Sequence, residues 1–164
     1  MKSKFAKRMW IIRHLKRAKI PPGKLILIYC SLIRPCFDYA SVAYHSMITK
    51  GQSDALERMQ SIALKTILGW NKSYRVCLEE SGLEPLSRRR HKACLRFAEK
   101  NADSDRFPEW FPKNPATAYD LRTSERYRID FARHERLRNA PIYFMRRLLN
   151  AQESEPDFNH GDHE

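Results

Sequence analysis

The chain has no glycine-rich phosphate loop, no G-x-S-x-G elbow and no H-E-x-x-H pair. The usual signatures of nucleotide cradling, serine nucleophilicity and zinc peptidase chemistry are therefore missing. No two aspartates are adjacent, and nothing nominates a catalytic residue. The four cysteines include no C-x-x-C pair. Cys30 and Cys36 on one helix would lie about 9 Å apart along its axis, beyond the reach of a disulfide. Cys77 and Cys94 could meet in space, but no spacing pairs them, so all four read as buried or incidental thiols. His91 and Cys94 stand three apart, as do His160 and His163, a spacing that can share a metal; neither has a second matched pair, so no metal site is predicted. Five glycines leave little material for long flexible turns. No apolar run approaches the roughly 18 residues of a membrane span, and the basic N-terminus lacks the apolar core of a secretory signal. The expectation is no membrane, no cofactor and no small-molecule substrate, in a nuclear or cytoplasmic setting.

Charge, by contrast, is abundant. Thirty-one Lys and Arg against nineteen acids give a net charge of +12 and a pI near 9.8. The charge is segregated: Lys2 to Lys24 carries nine basic residues and no acid, while the last twelve residues carry five acids and no Lys or Arg. That balance suits a protein that meets polyanions, nucleic acid first among them.

At 164 residues the chain is one domain, or a piece of one, with tails. Its organising stretch is Leu25 to Tyr44, LILIYCSLIRPCFDYASVAY. At 100° per residue, Ser31, Arg34, Asp38, Ser41 and His45 form one narrow polar stripe on an otherwise apolar helix. The stripe keeps its phase across Pro35, which predicts one kinked helix covered on most of its circumference, with Arg34 and Asp38 placed to pair. Before it, Lys2 to Ala18 reads as a helix capped by Ser3, with Phe5, Met9, Ile12 and Leu15 on the core side. Lys7, Arg13 and Arg17 stand off that side with Trp10 among them. There Trp10 either stacks on a ligand or packs against a neighbouring element.

After a loop at Thr49–Ser53, Asp54 and Glu57 form a predicted capping pair. They open the cleanest amphipathic helix in the chain, which places Leu56, Met59, Ala63 and Ile67 on one face and Glu57, Arg58, Ser61 and Lys65 on the other, and stops at Gly69. A short helix Tyr74 to Ser81 ends at Gly82. Glu84-Pro85-Leu86 opens another that runs to about Ala102. Its basic face is Arg88, Arg89, Lys92, Arg96 and Lys100; Arg90 projects from the apolar face and needs a partner, for which Asp38 and Glu84 are the candidates. RFPEWFPKNPATAYDL, from Arg106, has three prolines and four aromatics and reads as an extended strap. A basic segment follows, then a helix from Pro141, PIYFMRRLLN, and an acidic stretch from Ala151 that lacks a core face and reads as disordered.

Three blocks in order carry a resemblance. Ile12 to Lys16 with LILIYCSLIRPCFDYASVAYHS, then ALERMQSIALKTILGW, then SGLEPLSRRR, resemble the region that follows the palm in reverse transcriptases of non-LTR (LINE-type) retrotransposons. In that family the palm holds the metal-binding aspartates, including an aromatic-x-Asp-Asp box, which this sequence lacks. The matching blocks belong to the thumb and the region after it, which grip primer–template duplex. The family's Cys-Cys-His-Cys knuckle and any RNase H-like acid set are absent too. The resemblance thus implies a non-catalytic piece of an RNA-directed DNA polymerase from a transposable element, with Met1 an internal methionine serving as a start.

The fold expected is all-α: a small irregular helical bundle around a kinked central helix, with a proline-rich strap and a disordered acidic tail. Its divisions are a thumb-like helical domain at 1–103, strap and basic helix at 104–150, and tail at 151–164. The expected activity is backbone-directed binding of RNA/DNA duplex through Lys7, Arg13, Lys16, Arg17, Lys19, Arg88, Arg89, Lys92, Arg96 and Lys100, with a palm-bearing reverse transcriptase as a further partner. Two alternatives stay open: a helical protein–protein interaction module with basic faces, and a functionless remnant of the element.

Overall fold

The computed structural model describes residues 2–115 and 126–154. Among them the chain is all-α, apart from one isolated antiparallel bridge between Lys113 and Tyr127. It forms two compact units, Met1–Ser41 with Ile48–His91, and Val42–Met47 with Lys92 onward. The division falls inside a helix, after His91, because Cys94 and Ala98 beyond it pack with the C-terminal segments.

The first unit is built on a bent helix. Pro22 opens α2 (Pro22–Ile28), where a missing N–H costs nothing. α2 runs into a wide turn at Tyr29–Ile33 and then α3 (Pro35–Asp38). The Arg34 N–H donates to the Tyr29 carbonyl, five residues back, at 3.0 Å. Pro35 has no N–H to give to Ser31 and would push its ring against that carbonyl; one π-type turn widens the helix and relieves both problems. The predicted kinked helix is therefore present, and Pro35 is its cause.

Two corrections apply to this stretch. The helix ends at Asp38 instead of continuing to Tyr44: Tyr39 is extended and Ala40 takes φ 54°, before a separate turn, α4 (Ser41–Tyr44). The predicted polar stripe is thereby split, with Ser31 exposed and Ser41 buried. The helix also buries one row, Leu25, Tyr29, Ile33 and Phe37, rather than most of its circumference, and leaves Leu27 and Leu32 exposed. Each fully buried side chain of that row contributes about 1.5–3 kcal/mol.

α1 (Lys2–Arg17) packs Phe5, Met9 and Ile12 against this row, with the Phe5 and Phe37 rings 5.7 Å apart. Ser3 lies inside α1 and is not its cap. α5 (Lys50–Leu68) is capped by Thr49, not by Asp54: the Gln52 N–H donates to Thr49 Oγ1 at 3.2 Å, and the Thr49 N–H donates to Gln52 Oε1 at 2.9 Å. Gly69 follows with φ 128°. α6 (Tyr74–Ser81) is capped by Ser73 and closed by Gly82 at φ 63°, where a left-handed residue is required.

Glu57, assigned to the polar face of α5, is instead a link between helices. Its carboxylate accepts from the Tyr74 hydroxyl at 2.7 Å and from the Leu86 and Ser87 N–H groups, at 3.2 and 2.7 Å, where α7 (Leu86–Ala102) begins. An anion there satisfies two otherwise orphaned donors and complements the helix dipole. Buried Gln60 completes the network, accepting from the Tyr29 hydroxyl at 2.8 Å and donating to Tyr74 Oη and the Glu84 carbonyl, both at 3.0 Å. Burial, first, holds the Tyr29 phenol far above its ordinary pKa, so it remains a neutral donor.

The second unit has its own core of Cys94, Ala98, Phe111, Tyr127, Met145 and Leu149. The described part of the proline-rich strap is not helical; it inserts Phe111 into this core and stacks Phe107 on Trp110 at 4.3 Å. Residues 116–125 of the strap and basic segment lie outside the described residues. α8 (Glu135–Arg138) is a single turn, and α9 (Pro141–Ser154) begins at the predicted proline. Asn150 on α9 brackets Tyr127, accepting from its N–H at 3.0 Å and donating to its carbonyl at 2.9 Å. α9 continues four residues past Asn150, so the predicted tail begins as helix; its remainder, 155–164, lies outside the described residues.

Candidate nucleic-acid interface

α1 carries an open cationic face in the first unit. The core side of this helix is fixed by Phe5, Met9 and Ile12, which turns residues 7, 10, 14 and 17 outward at spacings of three and four. Lys7, Arg13, Arg17 and Lys19 are all exposed, and among the described residues none of them has an ion-pair or hydrogen-bond partner for its side chain. Lys16, also predicted to bind, is otherwise engaged: its Nζ donates to the Thr66 carbonyl in the last turn of α5 at 2.6 Å, a cation at the negative end of a helix.

Trp10 sits within this face and is 58% exposed. Among the described residues its ring contact is with a side chain of its own helix. Its ring lies 3.8 Å, centroid to centroid, from that of His14 one turn on, at an interplanar angle of 38°. His14 Nδ1 is 3.0 Å from the Trp10 carbonyl oxygen, a contact that an Nδ1–H satisfies. The imidazole is thus braced against an indole that stays more than half exposed. His14 was not singled out from the sequence, although its place four residues after Trp10 was the available signal.

The basic row predicted on α7 divides. In the first unit Arg88 is exposed, its Nε 4.0 Å from Glu84, whereas Arg89 is ion-paired: its Nε donates to both oxygens of Asp38, at 3.0 and 2.9 Å. Arg34 forms the expected, longer ion pair with the same carboxylate, at 4.0 Å. Arg90 has neither predicted carboxylate. It is 1% exposed and donates from Nη2 to Ser53 Oγ at 2.7 Å, while its Nε and Nη1 have no hydrogen-bond partner among the described residues. In the second unit Arg96 and Lys100 are exposed and Lys92 is half-buried.

A groove of about 500 Å³ in the first unit is lined by Lys4, Arg8, Pro35, Cys36 and Tyr39. Arg8 is anchored there, donating from Nη1 to the Leu32 carbonyl and to Cys36 Sγ, the latter at 2.6 Å. This adds two cations and an aromatic beyond the predicted set. Among the described residues no three His, Cys, Asp or Glu side chains converge to hold a metal ion. No helix among them is long and apolar enough to cross a membrane. In comparisons with known proteins, no family model, no curated protein and no solved structure matches the chain.

Proposed function

We propose that the chain is a non-catalytic helical module that binds nucleic acid through its phosphate backbone, as a thumb-like piece of an RNA-directed DNA polymerase of the non-LTR retrotransposon kind would grip primer–template. The observation that carries this is the outward face of α1 and the turn after it, where Lys7, Arg13, Arg17 and Lys19 have no carboxylate partner among the described residues. Cations left unneutralised on a chain of net charge +12 release counterions when they meet phosphates, which gives affinity with little sequence choice. Arg96 and Lys100 of the second unit supply the same chemistry separately. A nuclear or cytoplasmic setting goes with this reading.

The test is the salt dependence of binding to RNA–DNA hybrid. Replacing Lys7, Arg13 and Arg17 by Gln weakens binding and lowers the slope of log K against log salt by about one for each phosphate no longer neutralised. Arg89→Gln and Lys16→Gln, whose charges serve Asp38 and Thr66, leave the slope nearly unchanged and lower stability instead. No salt-sensitive binding at low ionic strength overturns the proposal.

A protein-interaction role is the second reading, supported by the exposed apolar side chains Leu27, Leu32 and Tyr39 on and after the bent helix. A palm-bearing polymerase in trans is the partner that the resemblance suggests for such a surface.

A further inference from the structure

We infer that the Trp10–His14 pair is a base-stacking platform, so that α1 takes an unpaired strand, or the unpaired overhang of a primer–template, in preference to the wall of a duplex. This rests on the nucleic-acid reading above and narrows its ligand. A duplex keeps the faces of its bases within its own stack and offers a protein only groove edges and backbone. An exposed indole outside a groove gains little from that surface. A single strand presents a free π-face at every base, and stacking on an aromatic is tolerant of sequence because all bases have one.

The geometry of α1 suits that ligand in three respects. Trp10 is 58% exposed and stands on the side opposite the buried row Phe5, Met9 and Ile12, so a base reaches it without displacing core. His14, its ring tilted against the indole at 3.8 Å and tied to the Trp10 carbonyl, limits the indole's movement and reduces the rotamer freedom that binding must remove. Lys7 and Arg17 lie one turn to the N-terminal side of Trp10 and one turn to the C-terminal side of His14. The two cations are separated by about 15 Å along the axis, so a strand crossing the platform meets a cation at either end.

The other exposed tryptophan of this unit supplies the control. Trp70 is 65% exposed, but the cation nearest to it in the sequence, Lys72, is paired with Glu80 at 2.7 Å.

The experiment measures the affinity of the full chain, at one fixed low salt concentration, for a single strand, for a blunt duplex of equal length and for that duplex with a single-stranded overhang. Trp10→Ala weakens binding to the single strand and the overhang about tenfold and leaves the blunt duplex unchanged, whereas Trp10→Phe retains most of the affinity. Trp70→Ala changes none of the three. Equal behaviour of Trp10→Ala and the parent chain on single strand overturns the platform and leaves the phosphate reading standing. Equal loss on all three ligands also overturns it, since the defect is then not one of stacking. Absence of binding to all three by the parent chain overturns both. Circular dichroism of each variant excludes unfolding as the origin of a loss.

Discussion

Arg90 and Arg146 are both buried arginines on the core-facing side of a helix, one in each unit, and they are held in opposite ways. Arg146, 6% exposed, donates from Nε to the Trp110 carbonyl at 2.8 Å, from Nη2 to the Glu109 carbonyl at 3.1 Å, and from Nη1 to the Arg128 carbonyl and Asp130 Oδ2 at 3.1 and 3.2 Å. Its guanidinium also lies 5.3 Å from the Tyr143 ring. Among the described residues Arg90 has a single hydrogen bond, to a serine hydroxyl. Arginine stays charged at any relevant pH, so both must be stabilised by their surroundings or cost the fold several kcal/mol. The difference lies in what each residue organises. Arg146 collects carbonyls from non-helical segments whose backbone would otherwise lack donors. Arg90 sits among helices that have already satisfied their own carbonyls.

The comparison predicts opposite signs for the same substitution. Arg146→Met leaves three carbonyls short of a donor, while Asp130 keeps Arg128; at about 1–3 kcal/mol for each buried group left unsatisfied, the loss is about 3 kcal/mol or more. Chemical denaturation should show that loss, and hydrogen exchange should show it concentrated in the second unit. A cost below about 1 kcal/mol, the value of one ordinary hydrogen bond, would break the comparison from this side. Arg90→Met exchanges an uncompensated charge for a side chain of similar length that fills the same space. It should be neutral to stabilising, by up to about 4 kcal/mol, with Ser53 the sole group to lose a partner. Destabilisation by Arg90→Met would mean that the guanidinium serves the fold in a way its hydrogen bonds do not reveal.

How far these outcomes were legible in the sequence depends on whether the deciding contact is local. Pro35 within an apolar run announced a bend, and Gly82, Pro85 and Pro141 marked helix ends that the structure keeps, because proline and glycine act through their own backbone geometry. The open cations of α1 were visible as well, since one helical period places Lys7, Arg13 and Arg17 away from Phe5, Met9 and Ile12. Partner choice was not visible. Asp38 keeps the ion pair with Arg34 four residues away, at 4.0 Å, but its closer partner is Arg89, fifty-one positions on, and Lys16 looks like any other lysine of the basic face until α5 brings Thr66 beneath it. Glu57 and Gln60 were hidden for the same reason: their roles depend on Tyr29, Tyr74 and the start of α7, which no periodicity in α5 encodes. Thr49 with Gln52 was a readable capping box that the nearby Asp54 and Glu57 obscured.

The contrast between a compensated and an uncompensated feature extends to the backbone, where the effects are smallest. Gly82 and Ala40 both occupy the left-handed region, at φ 63° and 54°. Glycine enters that region without a steric penalty; for alanine the cost is roughly 1–2 kcal/mol, and nothing in the sequence around Ala40 marks the break. Tertiary packing imposes it, since Phe37 before it and Ser41 after it are both buried and a continued helix would carry Ser41 elsewhere. Ala40→Gly removes the strain but gives the unfolded chain more freedom, which offsets about 0.4–1 kcal/mol of the gain. The net expectation is a stabilisation of roughly 0.5 kcal/mol, read as a small rise in melting temperature, with Ala40→Val shifting it the other way by more, because a β-branched side chain tolerates this conformation least. If glycine instead lowers the melting temperature, Ala40 is not strained and its methyl group has a packing role.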